Sequence, residues 1–118
     1  MIIDFSQVLK DRKDQELTHK VPEEKKTTDG QVSYVDKPLT LCDVCVTAID
    51  FIQRGEEVEP AEKYRRGKLA ERIYKLTYLS KESVNLTVED ITFIKGQVGK
   101  LYGPFMVTTI WDLLDPIL

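Results

Sequence analysis

The sequence predicts an α+β fold that is mainly α. Three observations predict it. Leu39-Thr40-Leu41-Cys42-Asp43-Val44 and Leu86-Thr87-Val88-Glu89-Asp90-Ile91 share one helix-starting grammar. Pro60 and Pro104 each precede an apolar pattern at helical spacing. The first residues alternate apolar and polar, as a half-buried strand does. The expected product is a β-hairpin of about 2–9 and 31–35 on four short helices, about 41–53, 60–79, 88–101 and 104–115. All 118 residues fit one globular domain, with a mobile charged loop at about 10–30.

Ile3 and Phe5 alternate with Asp4 and Ser6, which places a strand from Ile2 to Leu9. Residues 10 to 30 hold six basic and six acidic side chains, so the segment reads as a solvated loop with no net charge. Asp29-Gly30 signals a turn, and Gln31 to Val35 is the second strand. A connection of this length is long for a compact domain.

Pro38 disfavours helix at Lys37, and Thr40 opens the first helix. A Thr hydroxyl accepts from an otherwise unpaired N–H of the first turn, and an acid three residues on closes the capping box. Leu39 and Val44, like Leu86 and Ile91, have the spacing of a hydrophobic staple. Leu41, Val44, Cys45, Ala48, Ile49 and Ile52 form the buried stripe, and Gly55 is the expected stop. Pro60 suits the first position of the second helix, where Leu69, Ala70, Ile73, Tyr74, Leu76 and Tyr78 recur. Gly67 within it costs about 1 kcal/mol relative to Ala, which suggests a close packing contact.

Ser80 to Asn85 reads as a linker. Thr87 opens the third helix, with Val88, Ile91, Ile94, Val98 and Leu101 on one face, and Gly96 and Gly99 allowing close approach. Gly103-Pro104 breaks the run and restarts it as the fourth helix, with Phe105, Val107, Ile110, Trp111 and Leu114.

Net charge is −3, which gives no global reason to expect nucleic acid or an anionic membrane. No apolar run approaches the roughly 20 residues of a membrane span. The first residues lack the pattern of a secretory signal, so a cytosolic setting is the expectation. The only cysteines, Cys42 and Cys45, form a C-x-x-C in the first turn of a helix. They are the candidate metal or redox residues. A structural zinc site needs two further ligands, and His19 is the only histidine. Packing of Cys45 on the apolar stripe is the favoured reading, and no cofactor is expected.

Residues 60 to 78 carry Lys63, Arg65, Arg66, Lys68, Arg72 and Lys75 against Glu62 and Glu71. With Tyr64 and Tyr74 interleaved, the residues for a nucleic-acid contact are Lys63, Arg65, Arg66, Lys68 and Arg72. The acidic whole chain favours pairing with Glu56, Glu57 and Glu59 or with a partner protein. Catalytic residues are not expected: the sequence has no Gly-rich phosphate loop, no H-E-x-x-H and no G-x-S-x-G. Phe105, Ile110, Trp111 and Leu114 are the densest apolar cluster. Core packing is its first reading and a protein-docking face its second.

Ile3 through Asp11, the two Leu-Thr-x-x-Asp starts, and Val98-Gly99-Lys100-Leu101-Tyr102-Gly103-Pro104 through Trp111-Asp112-Leu113-Leu114-Asp115 carry a resemblance. The chain resembles a group of small accessory proteins of tailed phages and prophages, over most of its length except residues 12 to 36. The group has no activity that transfers residue by residue. The resemblance implies a non-enzymatic phage protein that binds other proteins in the host cytoplasm or virion. Its roles would be virion assembly factor or structural component, with a homo-oligomer among the options. Inhibition of a host protein, and a nucleic-acid-binding regulator using the 60–78 helix, are the alternatives.

Overall fold

The structure is a computed structural model, and it describes residues 1–22 and 33–115. In chain order the elements are β1 (Ile2–Ile3), β2 (Thr18–Pro22), β3 (Tyr34–Pro38), α1 (Leu41–Asp50), α2 (Pro60–Tyr74), β4 (Val84–Asn85), α3 (Val88–Leu101) and α4 (Pro104–Leu114). The fold is α+β and mainly α. Helix α1 packs against α2 and α3, and α3 packs against α4. Phe5, Leu9, Leu41, Ile49, Ile73, Ile94, Ile110 and Leu114 fill one core. Each such side chain contributes about 1.5–3 kcal/mol through burial.

Both capping boxes form. Thr40 Oγ1 accepts from the Asp43 N–H at 3.2 Å, and Asp43 Oδ2 accepts from the Thr40 N–H at 3.0 Å. The corresponding distances at Thr87 and Asp90 are 3.1 and 3.3 Å.

The strand pairing corrects the expected hairpin of residues 2–9 with 31–35. Only Ile2–Ile3 is strand in the first segment, and it pairs antiparallel with β4, inside the stretch expected to be a linker. The hairpin is β2 with β3, in antiparallel register, so Val21 lies opposite Val35 and His19 opposite Lys37. Half of it comes from the segment expected as a charged loop. The physical reason lies in residues 5 to 9. The Phe5 and Gln7 carbonyls accept the N–H groups of Cys42 and Leu41, both at 2.8 Å, so they are committed to the start of α1. Ile3, Phe5 and Leu9 do point inward, but their alternation reflects burial rather than ladder pairing. The same alternation runs through Leu17, His19 and Val21, where a histidine in the middle and the charged residues on either side mask it. Residues 23–30 of the expected loop, and 31–32 of the expected strand, lie outside the described residues.

The helix ends also differ. α1 stops at Asp50, before Gly55, and Ile52 points outward. The buried amide of Gln97 on α3 donates to the Ala48 and Phe51 carbonyls at 3.0 and 2.7 Å, and so ends α1 from another element. Gly55 serves the following turn with φ +88°. The second helix runs to Leu79 as expected, but its last turn, Lys75–Leu79, is a wider π-turn in which the Ser80 N–H reaches the Lys75 carbonyl at 3.0 Å. Gly67 and Gly96 face open space, so neither is a packing contact; Gly99 alone lies under a side chain, that of Trp111. Val88, expected on the buried face, is 65% exposed at the first position of α3.

Candidate functional site

The start of α1 is the floor of a cleft of about 370 Å³. Three backbone bonds of 2.8 Å link Leu9, Leu17 and Leu39 and hold the base of the β2–β3 hairpin beside that helix. His19 of β2, Asp43 and Thr47 of α1, Tyr74 of α2 and Tyr102 after α3 line the cleft, with Leu39, Val44 and Val46 as its apolar wall.

A connected polar cluster lies under it. Tyr78, carried by the π-turn, donates to Asp43 Oδ1 at 2.8 Å, and its oxygen is 2.7 Å from Thr40 Oγ1. His19 Nε2 is 3.5 Å from Asp43 Oδ2, an ion pair only when the imidazole is protonated. The Tyr74 ring meets Tyr78 edge-on at 5.0 Å, so the exposed wall of the cleft is braced by the part-buried cluster. Burial is the main reason that Tyr78 and Tyr102 both hold their protons more tightly than a free tyrosine.

Cys42 and Cys45 are buried, unbridged thiols. Burial pushes the Cys42 thiol up to about 11, against the opposing contact of Thr77. Burial, then the neighbouring Cys42, pushes Cys45 further up. A helix N-terminus can lower a thiol pKa, but here the Cys42 N–H is already bonded to the Phe5 carbonyl. The thiolate, which is the nucleophile and the metal ligand, is thus the disfavoured form at both positions. Among the described residues no three of the His, Cys, Asp and Glu side chains come together as a metal site.

The basic side chains of α2 are largely matched internally. Arg65 bonds Glu62 at 2.6 and 2.9 Å, and Arg66 lies 3.2 Å from Glu62 and 3.6 Å from Glu56. Both guanidinium groups sit 4.9 Å from the centre of the Phe93 ring. Lys68 and Lys75 share Glu71 at 3.8 and 2.7 Å, and Arg72 donates to the Asn85 carbonyl. Among the described residues Lys63 has no such ion pair. The Arg65 bond, reinforced by Arg66, holds the Glu62 carboxyl down at about 2. Glu56 also meets Lys100 at 3.4 Å, so of the acidic link Glu56 pairs with the helices beside it, while Glu57 and Glu59 form no ion pair among the described residues.

The apolar cluster of α4 divides. Ile110 and Leu114 are fully buried and present nothing to a partner, because they fall on the side of α4 that faces the core. Phe105 is half-buried beneath Arg12, whose guanidinium carbon is 5.2 Å from the ring centre. Trp111 is 39% exposed. Its Nε1–H donates to the Lys95 carbonyl at 3.1 Å, and Lys95 Nζ lies 5.6 Å over the ring.

Tyr78, Thr40 and Gln97 did not stand out in the sequence as site or network residues. Gln97 had a local signal, since it interrupts the apolar series Ile94, Val98 and Leu101 while sharing their face. Tyr78 had none, because its partners are 35 and 38 residues away.

The chain matches no family model, no curated protein and no solved structure. No helix among the described residues is long and apolar enough to cross a membrane.

Proposed function

We propose that this is a non-enzymatic accessory protein that acts by binding another protein, as a phage virion assembly factor or structural component. The phage setting rests on the resemblance of the motifs described above. The observation that carries the binding role is Trp111. It is held from behind by Lys95 and Gly99 while keeping a substantial exposed surface. A large aromatic side chain fixed before binding loses little freedom on association, which is the character of an interface anchor. Phe105 lies elsewhere around the same helix, beneath Arg12, so Trp111 is the anchor on its own face. The polar groups of the α1 cleft favour this reading over chemistry, since Asp43, Thr40 and Tyr78 are bonded to one another and both thiols are held protonated. Internal pairing of the α2 cations favours it over a phosphate-binding role.

The test is affinity capture from infected cells with wild-type protein, Trp111→Ala, and a variant with Lys63, Arg65, Arg66, Lys68 and Arg72 changed to Ala. Circular dichroism checks that each remains folded. A defined protein recovered in fixed ratio and lost with Trp111→Ala supports the proposal. Recovery of nucleic acid, lost in the basic variant and falling steeply with salt, overturns it.

A further inference from the structure

We infer that the α1 cleft is a binding site for an organic cation, the guanidinium of an arginine side chain on a partner protein. The source of the cation rests on the protein-binding reading; the cation site itself does not.

Asp43 is the one carboxyl side chain among the described residues that line the cleft. Its side chain is 24% exposed. Asp14, Glu56, Glu62, Glu71 and Asp115 each lie within 4 Å of a Lys or Arg nitrogen. Among the described residues no Lys or Arg nitrogen pairs with Asp43; its carboxylate stands 3.5 Å from His19 and accepts from the Tyr78 hydroxyl and the Thr40 N–H. The cleft therefore presents a carboxylate that neutral donors hold in place and that, among the described residues, meets no Lys or Arg.

The surrounding surfaces fit the rest of an arginine. Tyr74 and Tyr102 supply aromatic rings, and a guanidinium stacks on such faces more readily than an ammonium does. Tyr74 is half exposed and braced by Tyr78, so its ring is placed before any ligand arrives. Leu39, Val44 and Val46 offer an apolar wall for the aliphatic stem. A volume of about 370 Å³ is at the small end of ligand cavities, suited to one side chain rather than a large cofactor.

The test is an NMR titration of the whole protein with Nα-acetyl-arginine amide, and in parallel with the uncharged citrulline analogue. The inference expects saturable shifts at Val46, Thr47, Tyr74 and Tyr102 in the roughly millimolar range proper to a single side chain. It expects the citrulline analogue to bind about tenfold more weakly, because charge and cation–π attraction are both lost. Asp43→Asn should weaken arginine binding by a similar factor. The citrulline comparison needs no variant, so a poorly folded Asp43→Asn protein leaves the test intact. Equal affinity for the two ligands, unsaturated shifts, or shifts away from the cleft each overturn the inference. None of these outcomes bears on capture through Trp111, and loss of capture through Trp111 leaves the cleft result standing.

Discussion

At the start of α1, Thr40 and Asp43 close the same capping box that Thr87 and Asp90 close at the start of α3, yet the surroundings have little in common. Among the described residues the side chains of the exposed α3 box bond only within the box. Around the α1 box, Phe5 and Gln7 take the remaining first-turn N–H groups, Tyr78 bonds both capping side chains, and His19 stands beside Asp43. One local solution thus serves as a simple cap in one place and as the junction of four chain segments in the other. The lesson is that a capping motif fixes where a helix begins, while its energetic weight depends on what the tertiary fold brings to it.

The sharpest way to break this comparison is to remove each capping hydroxyl in turn. Thr87→Ala should cost about 1 kcal/mol, the ordinary value of a cap. Thr40→Ala should cost about 3 kcal/mol, because it also removes a partner of Tyr78 and Asp43 in a part-buried network. Urea unfolding of the two variants reads the difference, and equal losses would remove the distinction.

The far ends of the two helices extend it. α3 ends with Lys100 in its own last turn, whereas α1 has no basic residue there and depends on Gln97. Gln97→Ala should destabilise by about 2 kcal/mol, since it strips the side-chain donor from two carbonyls in a buried setting. Lys100→Ala should cost no more than about 0.5 kcal/mol, as an exposed last-turn charge. Thermal unfolding of both checks the ranking.

The second helical position gives a smaller contrast, in pH. It is the exposed Glu89 in α3 and the buried Cys42 in α1. The Cys42 thiol keeps its proton up to about 11 in the folded chain, against an ordinary 9.0. The folded state thus binds the proton more tightly than the unfolded one. Stability attached to Cys42 is complete below about pH 9 and is lost as pH rises from there toward about 11. Urea midpoints across that interval should fall more steeply for wild type than for Cys42→Ala.

These contrasts also mark what the sequence made legible. Both capping boxes, the four helices and the inward faces of α1 and α3 could be read because their causes lie within one or two turns. Val88 escaped that reading although it holds the same first helical position as the fully buried Leu41, because burial there depends on which other segment covers the helix start, as residues 5 to 7 do for α1. The strand partners were not legible. The alternation of Ile3 and Phe5 reports a buried face, and nothing in it says whether the backbone beside it meets a strand or, as here, the N–H groups of a helix. Likewise the C-x-x-C was visible as a pair, but the burial that keeps both thiols protonated depends on the packing of other elements. The pairing of Glu56 with Arg66 was foreseeable from charge, whereas the bond from Tyr78 to Asp43 was not.

The measurement that bears most directly on the α1 junction is a double-mutant cycle between Asp43→Asn and Tyr78→Phe, read by urea unfolding. A junction in which the two side chains act together predicts a coupling energy of about 1 kcal/mol or more. Additivity within about 0.3 kcal/mol would contradict it, and would reduce Thr40 and Asp43 to the same isolated cap that Thr87 and Asp90 form.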